Sequence, residues 1–147
     1  MADRKSNSLN LLFVCIENSA RSQMAEGWAR YYSQNPAVLG IQKPMPQILV
    51  FSSGSHPSGR VNPLAIEAMN EAGIDISRQR SKGLNEVPDF VYEYIVTMGC
   101  GDSCPYILAN HREDWQLDNP AGKDLAGFKL IRDQIKERVA ALIKTLV

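Results

Sequence analysis

The apolar positions of this chain fall into short unbroken runs separated by stretches with a three- to four-residue rhythm. Leu11 to Val14 and Ile48 to Phe51 are apolar at every position. Runs apolar on both alternating faces predict strands covered on both sides, as in a parallel sheet. Phe90 to Met98 is predicted as a third strand and Trp115 to Leu117 as a short fourth. Between them, Met24, Trp28 and Tyr32 recur at helical spacing and predict the core stripe of a first helix. A second helix is marked at both ends, with Asn62 as N-cap, Pro63 at the first helical position and Gly73 as the stop. Leu64, Ile66 and Met69 run along its body. Phe128, Ile131, Ile135, Val139, Leu142 and Leu146 predict a last, amphipathic cover helix with Lys and Arg on its other side.

Strands alternating with helices predict an α/β fold, a single-domain, doubly wound parallel four-stranded sheet flanked by helices. Such folds place their ligands at the carboxyl ends of the strands. The whole chain, residues 1–147, is expected to form one domain. Residues 1–9 read as a polar N-terminal extension, and residues 34–47, with three prolines, as an inserted loop. There is no internal repeat or low-complexity segment.

Composition narrows the function class. A hydrophobic share of 44% over 147 residues suffices for one proper core. Lys plus Arg equals Asp plus Glu at 16 each, so no basic field gathers nucleic acid or an anionic membrane surface. MADRKSNS lacks the apolar core of a signal peptide, and no run approaches the about 18 apolar residues of a membrane span, so a cytoplasmic location is expected. Three cysteines, an odd count without an export signal, argue for thiol chemistry rather than a disulfide framework.

That chemistry centres on Cys15 to Ser22, the string CIENSARS, between the first strand and the first helix. A loop that curls back at a helix start aims several backbone N–H groups at one point, and the helix dipole adds positive character there. Ile16, Glu17, Asn18, Ser19, Ala20 and Arg21 are thus candidate anion-binding positions. Cys15 at the rim sits in a field that favours thiolate over thiol. Arg21 offers a planar fork for two oxygens of a tetrahedral oxyanion. Ser22 can donate to the sulfur, and Asn18 tolerates left-handed backbone angles and can brace the curl. Glu17 would repel an anion and is expected to point outward. A lone cysteine after a strand is more often a small buried hydrophobe; Arg21 and Ser22 at these offsets reverse that reading.

VCIENSARSQMAEGWAR resembles the phosphate-loop signature of the low-molecular-weight protein tyrosine phosphatase superfamily. NSARSQMAEG, the later SSG, NPLAIEAMNEAGIDIS and EDWQLDNPAG are most similar to its thiol-dependent arsenate reductases. The likeness runs from about Leu11 to the C-terminus and implies reduction of arsenate to arsenite. Cys15 would attack arsenic, a resolving cysteine would form a disulfide with it, and an external thiol would reset the enzyme: thioredoxin, glutaredoxin or a low-molecular-weight thiol. No tightly bound cofactor is implied.

Cys100 and Cys104, in VTMGCGDSCP, are the candidates for the resolving step. Disulfide exchange needs sulfur atoms to approach to bonding distance, which a glycine-flanked thiol permits. A zinc site with His111 as third ligand falls short of a four-ligand set. In thioredoxin-linked members the first resolving cysteine directly follows the hydrophobic end of this strand, where this chain has Gly99; Cys100 is one residue later, as in some glutaredoxin-linked relatives.

Two further expectations come from the resemblance. The superfamily's general acid is an Asp directly before Pro, but Asn119 precedes Pro120 here, which leaves Asp118 as the candidate proton donor. Ala121 and Gly122 stand where tyrosine phosphatases carry an aromatic pair. Some relatives hold potassium beside the loop, at positions that fall on Asn18, Glu26, Ser52 and Asp75, all hard oxygen ligands. Glu26 and Asp75 serve equally well as N–H acceptors or solvated charges. Two alternatives to arsenate reduction stand: a protein or small-molecule phosphatase working through a phosphocysteine, and a non-catalytic oxyanion or redox sensor.

Overall fold

The computed structural model describes residues 8–99 and 107–147. Among the described residues four strands are laid down: β1 (Ser8–Cys15), β2 (Gln47–Gly54), β3 (Tyr92–Thr97) and β4 (Ala109–Asp114). Helices α1 (Arg21–Gln34), α2 (Pro63–Glu71) and α3 (Leu125–Thr145) alternate with them. All strand pairs are parallel, in the order β2-β1-β3-β4. The chain leaves β1 for β2 on one side and then crosses to β3 on the other, so the direction of winding reverses at β1. Ligands of open α/β sheets bind at the carboxyl end of that switch point, and there β1 ends in Cys15.

The register lines up the strand ends. Cys15 pairs with Gly54, Val14 with Thr97, and Thr97 with Asp114. Alternation along β1 feeds two cores. Leu11 and Phe13 join the buried faces of the three helices, including Met24, Trp28, Met69, Phe128, Ile135 and Val139. Leu12 and Val14 pack with Tyr92 and Ile95 on the opposite face, where Leu84, Val87 and Ile107 lie against them. The Met24–Trp28–Tyr32 stripe is buried, with Trp28 stacked on Tyr32 at 5.7 Å between ring centres.

Helix α2 starts as its sequence dictates. Asn62 Oδ1 accepts the Leu64 N–H at 2.9 Å, and Pro63 occupies the first position, where no N–H is needed. The fourth strand departs from expectation: it is Ala109–Asp114, and Trp115 to Leu117 follow it. An edge strand bonds only one neighbour and leaves its side chains to solvent, so ANHRED shows no apolar signal. Trp115 is apolar because it packs on Phe13 at 5.9 Å. Residues 36–39 form a short 3₁₀ turn within the stretch read as a loop.

Candidate active site

The Cys15–Ser22 loop is held from outside by its own carbonyls. Those of Cys15, Ile16, Glu17 and Ser19 accept backbone N–H groups of Ser55, His56, Ser58 and Asn62 at 3.2, 2.7, 3.1 and 2.8 Å. The Asn18 carbonyl accepts Gln23 Nε2 at 3.1 Å, and Ser81 Oγ adds a second donor to Glu17. A trans peptide points its C=O and N–H in opposite directions. Five consecutive carbonyls held outward therefore turn the following N–H groups to the concave side, which is an anion nest. Helix α1 begins at the same place with no side-chain cap, so its first-turn N–H groups are available to a ligand.

The cup is a cavity of about 80 Å³, the scale of a small oxyanion, lined by Cys15, Glu17, Ser19, Arg21, Asn62 and Asn119 with Ile16, Ala20 and Ala121. Cys15 is buried, and its Sγ lies 2.9 Å from Ser22 Oγ. Asn18 Nδ2 donates to that Oγ at 2.7 Å, which leaves the serine hydrogen to donate to the sulfur. A thiolate has no proton of its own to give, so this polarity suits the charged nucleophile. Glu17 is exposed.

Asn18 organises the loop. It adopts φ 49°, the left-handed region that Asn accepts more readily than most residues. Its amide is fully used: Nδ2 donates to Ser22 and to Ser52 at 3.0 Å, and Oδ1 accepts Gln23 Nε2 and the Lys82 N–H at 2.8 and 2.9 Å. Gly54 lets β2 approach this close, since a Cβ there would meet the Ile16 carbonyl at 2.6 Å. Arg21 is also buried, and its Nη1 donates to the Leu117 carbonyl at 3.2 Å.

The structure therefore brings Cys15, Ile16, Glu17, Ser19, Ala20 and Arg21 to one cup, with Asn18 and Ser22 buried behind it. Asp118 is absent from the lining; Asn119, whose Oδ1 accepts the Ala121 N–H at 3.0 Å, stands at the wall instead, and both are exposed. Cys100 and Cys104 lie outside the described residues. Of the proposed potassium ligands, Asn18, Ser52 and Glu26 form one buried chain, in which Ser52 Oγ donates to Glu26 Oε1 at 2.5 Å. Asp75 departs from the set: it is exposed and accepts the Ser77 N–H at 2.8 Å, bonds that hold its carboxyl below the usual range.

Sequence reasoning did not single out Lys82, Gln23, Asn62 or Gly99 as parts of the site. Lys82 Nζ lies 3.5 Å from Ser52 Oγ and 3.8 Å from Glu26 Oε1. Burial draws its ammonium below the ordinary lysine value, and Glu26 opposes that shift. Asn62 carried a signal only as a helix cap.

Residues 10–147 match the family model of the low molecular weight phosphotyrosine protein phosphatases. The chain belongs to that family. Within it, 136 residues of this member are 42% identical to a Synechocystis protein named glutaredoxin arsenate reductase, covering 90% of this chain and 95% of the relative. A Staphylococcus aureus arsenate reductase is 42% identical over 135 residues, 86% of this chain and 89% of its own. The fold of this phosphatase-family protein superposes on an arsenate reductase solved in its phosphate-binding state with a TM-score of 0.80. There the identity is 37%, over 95% of this chain and 99% of the other. Among the described residues no helix is long and apolar enough to cross a membrane.

Proposed function

We propose that this protein is a thiol-dependent arsenate reductase. The observation that carries the reading is the cup itself, a buried Cys15 sulfur beneath an N–H nest with Arg21 at its side, in a chain 42% identical to two proteins named arsenate reductases. The nest and Arg21 bind arsenate, and the Cys15 thiolate attacks arsenic. An S–As bond forms and an As–O bond breaks, the oxygen leaving as water after protonation. A second thiolate then attacks Cys15 Sγ. The S–S bond forms as S–As breaks, the electron pair stays on arsenic, and arsenic(V) leaves as arsenite. Two external thiol groups return the disulfide to two thiols through a mixed disulfide, supplying the two electrons and ending as a disulfide themselves.

Cys100 and Cys104 are the candidates for the second thiolate. Cys100 follows Gly99 directly, and Gly99 lies against Arg21 in the site. A cysteine at position 99 itself would need the left-handed φ of 80° and a shift of Arg21, since a Cβ there would fall 2.3 Å from Arg21 Nη1. That separates this chain from the pattern of the thioredoxin-linked members and, with the Synechocystis relative's name, supports a glutaredoxin-type reductant. The expected location is the cytoplasm, where such thiol systems keep cysteines reduced.

The phosphatase reading uses the same Cys15 and Arg21 but must expel an alkoxide or phenoxide, which calls for a general acid. Asn119 at the wall has no acidic proton, and Ala121 replaces the aromatic wall that selects aryl substrates. The deciding experiment treats fully reduced protein with arsenate alone, phosphate as control, and follows intact mass and free thiols. Loss of two hydrogens and two thiols, abolished by Cys15→Ser and by one of Cys100→Ser or Cys104→Ser, establishes the relay and names its second member. Protein that stays fully reduced rules the internal relay out.

A further inference from the structure

The buried chain Asn18–Ser52–Glu26 ends on a carboxylate, and a buried carboxylate without a counter-charge is costly. Glu26 is 3% exposed. It is met by two cations of the protein itself: Arg30 pairs with Oε2, and Lys82 Nζ stands 3.8 Å from Oε1. The ammonium also lies 3.5 Å from Ser52 Oγ and donates to the Arg80 carbonyl at 3.0 Å. Three oxygens from three separate segments, α1, β2 and the loop before β3, thus surround one nitrogen, much as oxygen ligands surround a monovalent cation. The backbone N–H of the same residue holds Asn18 Oδ1 at 2.9 Å.

The residues therefore do not fit a potassium ion. Asn18 Oδ1 already accepts from Gln23 and Lys82, Asp75 is engaged by Ser77, and an added cation would meet both Arg30 and Lys82 at close range. We propose that the Lys82 ammonium is a built-in replacement for a monovalent metal ion, and that Lys82 is a positioning residue for the thiolate loop. Its ammonium neutralises Glu26 and lies against Ser52 Oγ, which accepts from Asn18 Nδ2, while its backbone N–H holds Asn18 Oδ1. Asn18 in turn directs the Ser22 hydroxyl at Cys15. The inference rests on Cys15 acting as a thiolate in the loop, but not on arsenate being its substrate.

The test reads the loop and the cation response separately from turnover. Potassium chloride is compared with tetramethylammonium chloride at equal ionic strength, by thermal melting and by the rate at which iodoacetamide alkylates Cys15, followed on the Cys15 peptide by mass spectrometry. The wild-type protein should respond to the two salts alike. Lys82→Ala opens the oxygens to solvent through the groove lined by Glu26, Arg30 and Asp75. It should alkylate several-fold more slowly and acquire a potassium-specific rise in melting temperature of about 3 °C. Lys82→Arg, which keeps a cation, should retain most of the wild-type alkylation rate. A wild-type protein stabilised or accelerated specifically by potassium overturns the proposal without recourse to any variant. So does a Lys82→Ala protein whose Cys15 reacts at the wild-type rate in both salts. Loss of arsenate turnover with these responses intact would count against the proposed reaction and not against Lys82.

Discussion

Gly99 and Arg21 are in such close approach that a Cβ on Gly99 would stand 2.3 Å from Arg21 Nη1. Gly99 also takes φ 80°, which only glycine adopts without strain. Two requirements, space and backbone angle, coincide at the residue where β3 leaves the sheet and enters the site. The guanidinium is thereby held between the Gly99 backbone and the Leu117 carbonyl.

Gly99→Ala should displace that guanidinium. Loss of a single preorganised oxyanion donor costs about 10²-fold to 10³-fold in kcat, and a misplaced fork should approach the lower figure. Steady-state arsenate reduction, with Arg21→Ala as the reference for complete loss, measures it. Activity within about twofold of wild type would show that the close approach leaves Arg21 free to rearrange.

Ser22→Ala removes the hydroxyl 2.9 Å from Cys15 Sγ and leaves one Asn18 N–H without its acceptor. Hydrogen bonds to charged groups contribute about 1.5–3 kcal/mol, so alkylation of Cys15 at neutral pH should slow by about tenfold or more. The orphaned Asn18 N–H should also cost about 1–3 kcal/mol of stability, so the rates are compared where both proteins are fully folded. An unchanged alkylation rate would mean that the sulfur draws its stabilisation from the N–H nest alone.

Away from the site, Arg132 ties α3 to the end of α2. Its Nη1 donates to the Ala68 carbonyl and to Glu71, each at 2.8 Å. Arg132→Ala leaves that helix-end carbonyl unpaired and should cost about 2 kcal/mol, seen as a lower urea midpoint. Arg132 and Lys129 hold the Glu71 carboxyl below its usual range. A lowered folded value means stability that is complete above the unfolded value of 4.5 and is lost as the pH falls through the folded one. The advantage of wild type over Glu71→Gln should therefore be present at neutral pH and vanish in acid. The reverse order would remove the carboxylate as the source.

These sites differ in how far the sequence announces them. The nucleophile loop is legible because its chemistry is contiguous: Cys15, Asn18, Arg21 and Ser22 serve one cup within eight residues, between a strand and a helix. The second helix is legible because Asn62 and Pro63 act locally. Lys82 is not, since it sits in the polar run RQRSKG, which reads as solvated charge, and meets Glu26 only because the segment between α2 and β3 comes back beside β2 and α1. Edge strand β4 escapes the hydrophobic pattern for the opposite reason, having no buried face to mark it. Gly99 and Asn119 acquire meaning only from what stands opposite them.

Asn119 offers the sharpest test of why the pocket would reduce rather than hydrolyse. It lines the cup beside Cys15 and Arg21, whereas the neighbouring Asp118, equally exposed, is not part of the lining. Thiolate attack on arsenate needs only a small leaving oxygen, which departs as water. A phosphomonoester must expel an alkoxide or phenoxide, and there a positioned acid contributes about 10²-fold to 10⁴-fold. Asn119→Asp exchanges an amide for a carboxyl of nearly the same shape at the wall. Hydrolysis of p-nitrophenyl phosphate should rise by about tenfold or more with an acidic limb in its pH profile, because the new group must be protonated to act. Arsenate reduction should change little. Should the ester be hydrolysed no faster, the absent acid is not what restrains the phosphatase reaction, and the restraint lies in the missing aromatic wall at Ala121. Should arsenate reduction collapse in the same variant, the amide itself would belong to the oxyanion-binding set.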